Sequence, residues 1–181
     1  MLRGRSRDQR KAEFERFVAE VADELLKTGY LLVWDLAEAE DLVQEVLMRV
    51  AKRWPQVQSM EYPRAYARRI LVNLVIDGAK KRTRRRHELD PGADTLTYLR
   101  REVGVDGGFT AVDAHAELVD ALGNLPPQQR AVLVLRYFED MAEADVAKTL
   151  GCSVGTVKST SSRALARLHV QMSAHDDQLI P

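Results

Sequence analysis

Apolar residues recur along both halves of this chain at the three- and four-residue spacing of amphipathic helices. Phe14, Phe17, Val18, Val21, Ala22 and Leu25 predict a first helix, with Gly29 placed to end it. Asp35 followed by Glu38 has the form of a capping box and predicts a second start. Leu42, Val43, Val46, Leu47 and Val50 then make an apolar face, opposite Asp41, Gln44, Glu45 and Met48. Trp54-Pro55 breaks the pattern, Gln56 to Tyr62 reads as a loop, and Pro63 opens a third helix at its first position. On that helix Tyr66, Ala67, Ile70, Leu71, Leu74 and Val75 share one arc, so Arg69, Asn73 and Lys80 fall together beside it at about 100° per residue.

His87 to Thr110 interrupts this periodicity with Pro91, Gly92, Gly104, Gly107 and Gly108, a linker composition. Helical spacing resumes from Val112 to Leu122, Pro126-Pro127 punctuates, and Gln128 to Phe138 predicts a supporting helix. Val146, Ala147 and Leu150 then give a further helix its apolar face, Gly151 supplies the positive φ of a turn, and Ser153 caps a last helix that buries Val157. That order is a helix-turn-helix, whose second helix would offer Lys158, Ser159, Thr160, Ser162 and Arg163 to a DNA major groove. The competing reading is a small bundle whose polar face is merely solvated. The fold class expected is all-α: two small helical domains, residues 1–86 and 112–172, joined by a flexible acidic linker at 87–111 and followed by a polar tail at 173–181.

Charge changes the picture through its placement and not its sum. The 27 basic and 27 acidic residues cancel, so no global excess argues for nucleic acid. From Arg64 to Arg86, however, nine Lys or Arg face the single acid Asp77, whereas His87 to Glu117 holds seven acids against two bases, a net of minus five. A cationic run that continues a polar helix stripe suits a nucleic-acid backbone, where it gains by displacing counterions. Cys152 is the only cysteine, which excludes an internal disulfide, and His87, His115, His169 and His175 have no metal-ligand spacing with it or one another. No metal or other cofactor is expected. No apolar run approaches the length of a membrane span and the Arg-rich start lacks a signal peptide's apolar region, so a cytoplasmic location is expected.

Three blocks carry a family resemblance. AEDLVQEVLMRVAKRW at Ala39 to Trp54 resembles regions 2.1 to 2.2 of the sigma-70 family of RNA polymerase sigma factors. PRAYARRILVNLVIDGAKKRTRRR at Pro63 to Arg86 resembles regions 2.3 and 2.4, and LPPQQRAVLVLRYFEDMAEADVAKTLGCSVGTVKSTSSRALARL at Leu125 to Leu168 resembles region 4. In this order and with this linker they resemble the two-domain extracytoplasmic-function, or group IV, sigma factors, and among those an actinobacterial subgroup with the GCSVGTVKS run.

The resemblance implies a role for each surface. Asp41, Leu42, Gln44 and Glu45 would contact the β′ coiled coil of core RNA polymerase, and the β subunit is a further implied partner. Val57 to Pro63 and Asn73 correspond to the element that captures a flipped base of the minus-ten promoter DNA, with Tyr62 or Tyr66 able to stack, although Tyr66 lies on the apolar arc and reads better as core. Arg68, Arg69, Lys80, Lys81 and Arg82 would hold phosphates. Ser153, Thr156, Lys158, Ser159, Thr160, Ser162 and Arg163 would serve the minus-thirty-five element. The acidic linker matches the stretch that threads through the polymerase, against its plainer reading as a solvated tether. An anti-sigma factor is also implied. The chief alternative is a dimeric helix-turn-helix regulator acting alone, but the sequence shows neither a heptad seam nor a separate sensing domain. An enzyme acting on nucleic acid lacks support, since no paired carboxylates at metal spacing, Ser-His-Asp arrangement or glycine-rich phosphate loop is present.

Overall fold

The computed structural model describes residues 7–89, 118 and 121–176, and these are helical or in turns, with no strand among them. The elements are α1 (Arg7–Val33), α2 (Leu36–Lys52), the single turn α3 (Trp54–Val57), α4 (Pro63–Leu89), α5 (Pro127–Leu133) continued by a π-helical turn (Val134–Phe138), α6 (Glu143–Leu150) and α7 (Val154–Asp176). Residues 121–123 are also helical. The all-α expectation therefore holds. The chain divides into two compact units, Met1–Leu74 and Val75–Pro181. Most of the expected linker and the tail beyond Asp176 lie outside the described residues, as do the first residues of the helix expected from Val112.

In the first unit, Phe17, Val21 and Leu25 of α1 meet Val43, Val46 and Val50 of α2, Trp54 and Val57, and Ala67 and Leu71 of α4. Each of these side chains stabilises the fold by about 1.5–3 kcal/mol when fully buried, less for Ala. Trp54 closes one end of the core between Phe14 and Phe17, with ring centroids 5.4 Å and 5.1 Å away. The Asp35 carboxylate accepts the Glu38 amide at 2.8 Å and caps α2 as its sequence position predicts.

Gly29 does something other than end α1. The helix runs on to Val33, and Gly29 is buried where a Cβ would stand 3.5 Å from Ala39 Cβ and 3.7 Å from Leu71 Cδ1. A methyl group there would make ordinary van der Waals contact with both neighbours. The stop falls instead at Trp34, whose φ of 65° takes the left-handed role usually given to glycine. The Trp34 amide bonds the Tyr30 carbonyl at 2.7 Å, and the two rings stack at 5.5 Å.

The expected loop after Trp54-Pro55 begins as α3, which inserts Val57 into the core before the chain turns through Ser59 and Met60. In the second unit α5 and α6 both pack on α7. Leu125, Leu133, Ala164 and Leu168 form one buried cluster, and Val146, Ala147 and Val157 are buried as well. Arg130 is buried and donates to the Gly123 and Leu125 carbonyls at 2.9 Å and 3.1 Å. The supporting helix does not stay α-helical to Phe138: the Glu139 amide reaches back five residues to Val134 at 3.0 Å, and Tyr137 and Phe138 turn outward.

Candidate nucleic-acid interface

α4 carries the first polar surface. Pro63 occupies its first turn, where no amide partner is lost, and the Tyr66 amide bonds the Tyr62 carbonyl at 3.2 Å. Ala67, Leu71, Val72 and Val75 are buried, which sends Arg69 and Asn73 to the solvent side. Neither of these two has a side-chain partner among the described residues. Lys80, Lys81, Arg82 and Arg84 extend the exposed strip along the same helix. Just before α4, Tyr62 is 67% exposed. Hydrogen bonding to Glu61, with a smaller contribution from burial, raises its hydroxyl above the ordinary tyrosine value.

Arg68 departs from the expectation that it holds phosphate. Its side chain is only 19% exposed and its guanidinium is engaged by Glu24 of α1. Arg64 joins the same group, 2.8 Å from Glu20 and 3.8 Å from Glu24. Two of the three arginines in the first turns of α4 are thus paired with carboxylates of α1, Arg64 while still exposed, and Arg69 faces out without such a partner. Tyr66 packs against the apolar core and is no stacking platform.

On α2, Asp41 and Gln44 are exposed, whereas Leu42 is half-buried against the core. Glu45 has an internal partner: Arg49 Nε donates to it at 2.6 Å across one helical turn. Of the polar residues on this face, Glu45 is thus paired within its own helix, whereas Asp41 and Gln44 have no partner among the described residues. Met48, 47% exposed, extends this face with an apolar side chain.

In the helix-turn-helix, Gly151 adopts φ 65°, and the Cys152 amide closes the end of α6 on the Ala147 carbonyl at 3.0 Å. The Ser153 hydroxyl accepts the Thr156 amide at 3.0 Å, and the two hydroxyls lie 2.9 Å apart. Ser153 and Thr156 are accordingly engaged in capping α7. Val157 is buried, and Lys158, Ser159, Ser162 and Arg163 face out. Thr160 does not join them. At 6% exposure it packs inward, because three residues beyond Val157 the helix returns to the same buried side.

The outward residues are also tethered. Arg163 Nε donates to the Ser159 carbonyl at 3.1 Å, the Ser159 hydroxyl donates to the Thr156 carbonyl at 3.2 Å, and Lys158 lies 3.7 Å from a carboxylate oxygen of Glu143. Sequence spacing did not reveal Glu143 or Glu24, since both act across helices. No group of His, Cys, Asp and Glu able to hold a metal ion occurs among the described residues, and no helix there is long and apolar enough to cross a membrane.

Residues 12–85 match Sigma-70 region 2 and residues 115–168 match Sigma-70, region 4. The chain is 38% identical over 167 residues to the RNA polymerase sigma-E factor of Streptomyces coelicolor, covering 91% of this chain and 88% of that one. It is 28% identical over 165 residues to the ECF RNA polymerase sigma factor SigE of Mycolicibacterium smegmatis, covering 91% and 63%. Among solved structures it resembles the sigma factor RpoE of Bartonella quintana in complex with the anti-sigma factor NepR, with a TM-score of 0.67, 26% identity, and coverage of 89% of this chain and 97% of that one. The chain belongs to the sigma-70 family, among its extracytoplasmic-function members. As a sigma factor it serves RNA polymerase in promoter recognition and transcription initiation.

Proposed function

We propose that this sigma factor divides its work between its two units, with Asp41 and Gln44 of α2 leading the contact to the β′ coiled coil of core polymerase and Leu42 and Glu45 at its edge. An acidic and amide surface with no partner on its own fold suits a basic helical one. The minus-ten strand falls to the loop before α4 and to the Arg69-Asn73-Lys80 strip. Extruding a base costs a few kcal/mol, which hydrogen bonds to its edge and stacking offset. Asn73 supplies both a donor and an acceptor, and Tyr62 supplies an exposed ring close to where α4 begins.

Arg69, Lys80, Lys81 and Arg82 then hold phosphates without reading sequence. The outward face of α7, with Lys158, Ser159, Ser162 and Arg163, enters the major groove at the minus-thirty-five element. An anti-sigma factor is a further partner of this chain, in keeping with the complex of its structural relative. Such work belongs in the cytoplasm, with polymerase and chromosome.

The observation that carries this reading is the exposed Arg69 and Asn73 pair, polar and unpartnered beside a fully buried helix face. Asn73→Ala in the holoenzyme should block open-complex formation on a duplex promoter and spare a promoter already melted at the minus-ten element. Equal loss on both templates would contradict base capture by Asn73.

A further inference from the structure

Glu143 opens α6, and its carboxylate lies between cations from two other elements. One oxygen is 3.9 Å from Arg136 Nη2 in the π-helical turn, and the other is 3.7 Å from Lys158 Nζ on the outward face of α7. Arg136 is itself anchored: Nη1 donates to the Met141 carbonyl at 3.2 Å, and its guanidinium lies 5.8 Å from the Tyr137 ring centroid. The carboxylate is thus steadied from behind by a cation whose side chain is 25% exposed, while it restrains one that is 65% exposed. A lysine ammonium otherwise swings on a four-carbon stem and acts as a point charge wherever a phosphate lies in reach.

We propose that Glu143 is a positioning residue for minus-thirty-five recognition: it directs the Lys158 ammonium to one place in the groove, so that Lys158 discriminates between base pairs instead of serving as a mobile phosphate contact. This rests on the reading of α7 as the minus-thirty-five helix. The same negative charge opposes the DNA backbone, so Glu143 gives up general affinity for selectivity. A carboxylate in the first turn of α6 also complements the helix dipole, a role independent of Lys158 that the test must separate.

The test uses holoenzyme assembled from the full chain and core polymerase, titrated across salt concentrations with duplex promoters that differ by single base pairs in the minus-thirty-five element. Glu143→Gln should tighten binding to every duplex while lowering discrimination about two- to fivefold, the scale of one exposed ion pair. Adding Lys158→Ala to that variant should then reduce the salt slope by about one, as loss of a phosphate contact does. Lys158→Ala alone should lower discrimination, and Glu143→Gln should lower it no further once Lys158 is gone. Unchanged discrimination in Glu143→Gln, or an equal loss with and without Lys158, would overturn the positioning role. A wild-type holoenzyme that distinguishes none of the duplexes would defeat the minus-thirty-five assignment of α7 and this inference with it.

Discussion

Two glycines show how differently one residue type acts in this chain. At Gly151 the space is open, with nothing within 4 Å of a Cβ, but φ is 65°. Gly151→Ala should therefore destabilise by about 1–2 kcal/mol through backbone strain alone. Gly29 sits inside a helix, and a methyl group there would meet Ala39 and Leu71 at ordinary contact distances. Gly29→Ala should raise stability by up to about 1 kcal/mol, because alanine restricts the unfolded chain and favours helix. Chemical denaturation of the two variants checks the opposite signs, and destabilisation by Gly29→Ala would show that α1 and α2 cannot accommodate one methyl group.

At the scale of elements, α4 sets two adjacent arginines to different tasks. Arg68 faces α1 and its partner Glu24, and Arg69 faces solvent. Arg68→Ala should cost about 1 kcal/mol of stability, discounted for the partial exposure of the pair, and leave the salt dependence of promoter binding unchanged. Arg69→Ala should change stability by less than about 0.5 kcal/mol and lower the salt slope by about one. Thermal denaturation and salt titrations of the holoenzyme separate the two, and interchanged phenotypes would reverse the assignment.

The features legible in sequence were those set by local rules: the Asp35 cap, Pro63 at a helix start, Gly151 in the turn and Ser153 before α7. What sequence did not show depends on distant partners. Glu24 lies 44 positions from Arg68, Gly29 is buried inside α1 beside Ala39 and Leu71 instead of ending the helix, and Thr160 turns inward on a helix whose polar letters conceal a buried side. The π-helical turn is a register change that periodicity over Gln128 to Phe138 does not reveal.

For the whole molecule, the two matched regions and the separate polar surfaces on α2, α4 and α7 describe a factor that acts through a larger enzyme. Each of these surfaces is a set of polar side chains backed by a buried apolar face. On the proposed division of work, specificity comes from holding two DNA contacts at once, because the avidity of two modest contacts exceeds either alone. A dimeric regulator would need no polymerase to bind its operator. The most direct measurement is to assemble this chain with core RNA polymerase on genomic DNA and map where transcripts begin. Starts gathered behind one shared pair of upstream elements, absent without the chain, are the predicted result; no change in start sites, with the free chain binding duplex DNA as a dimer, would contradict it.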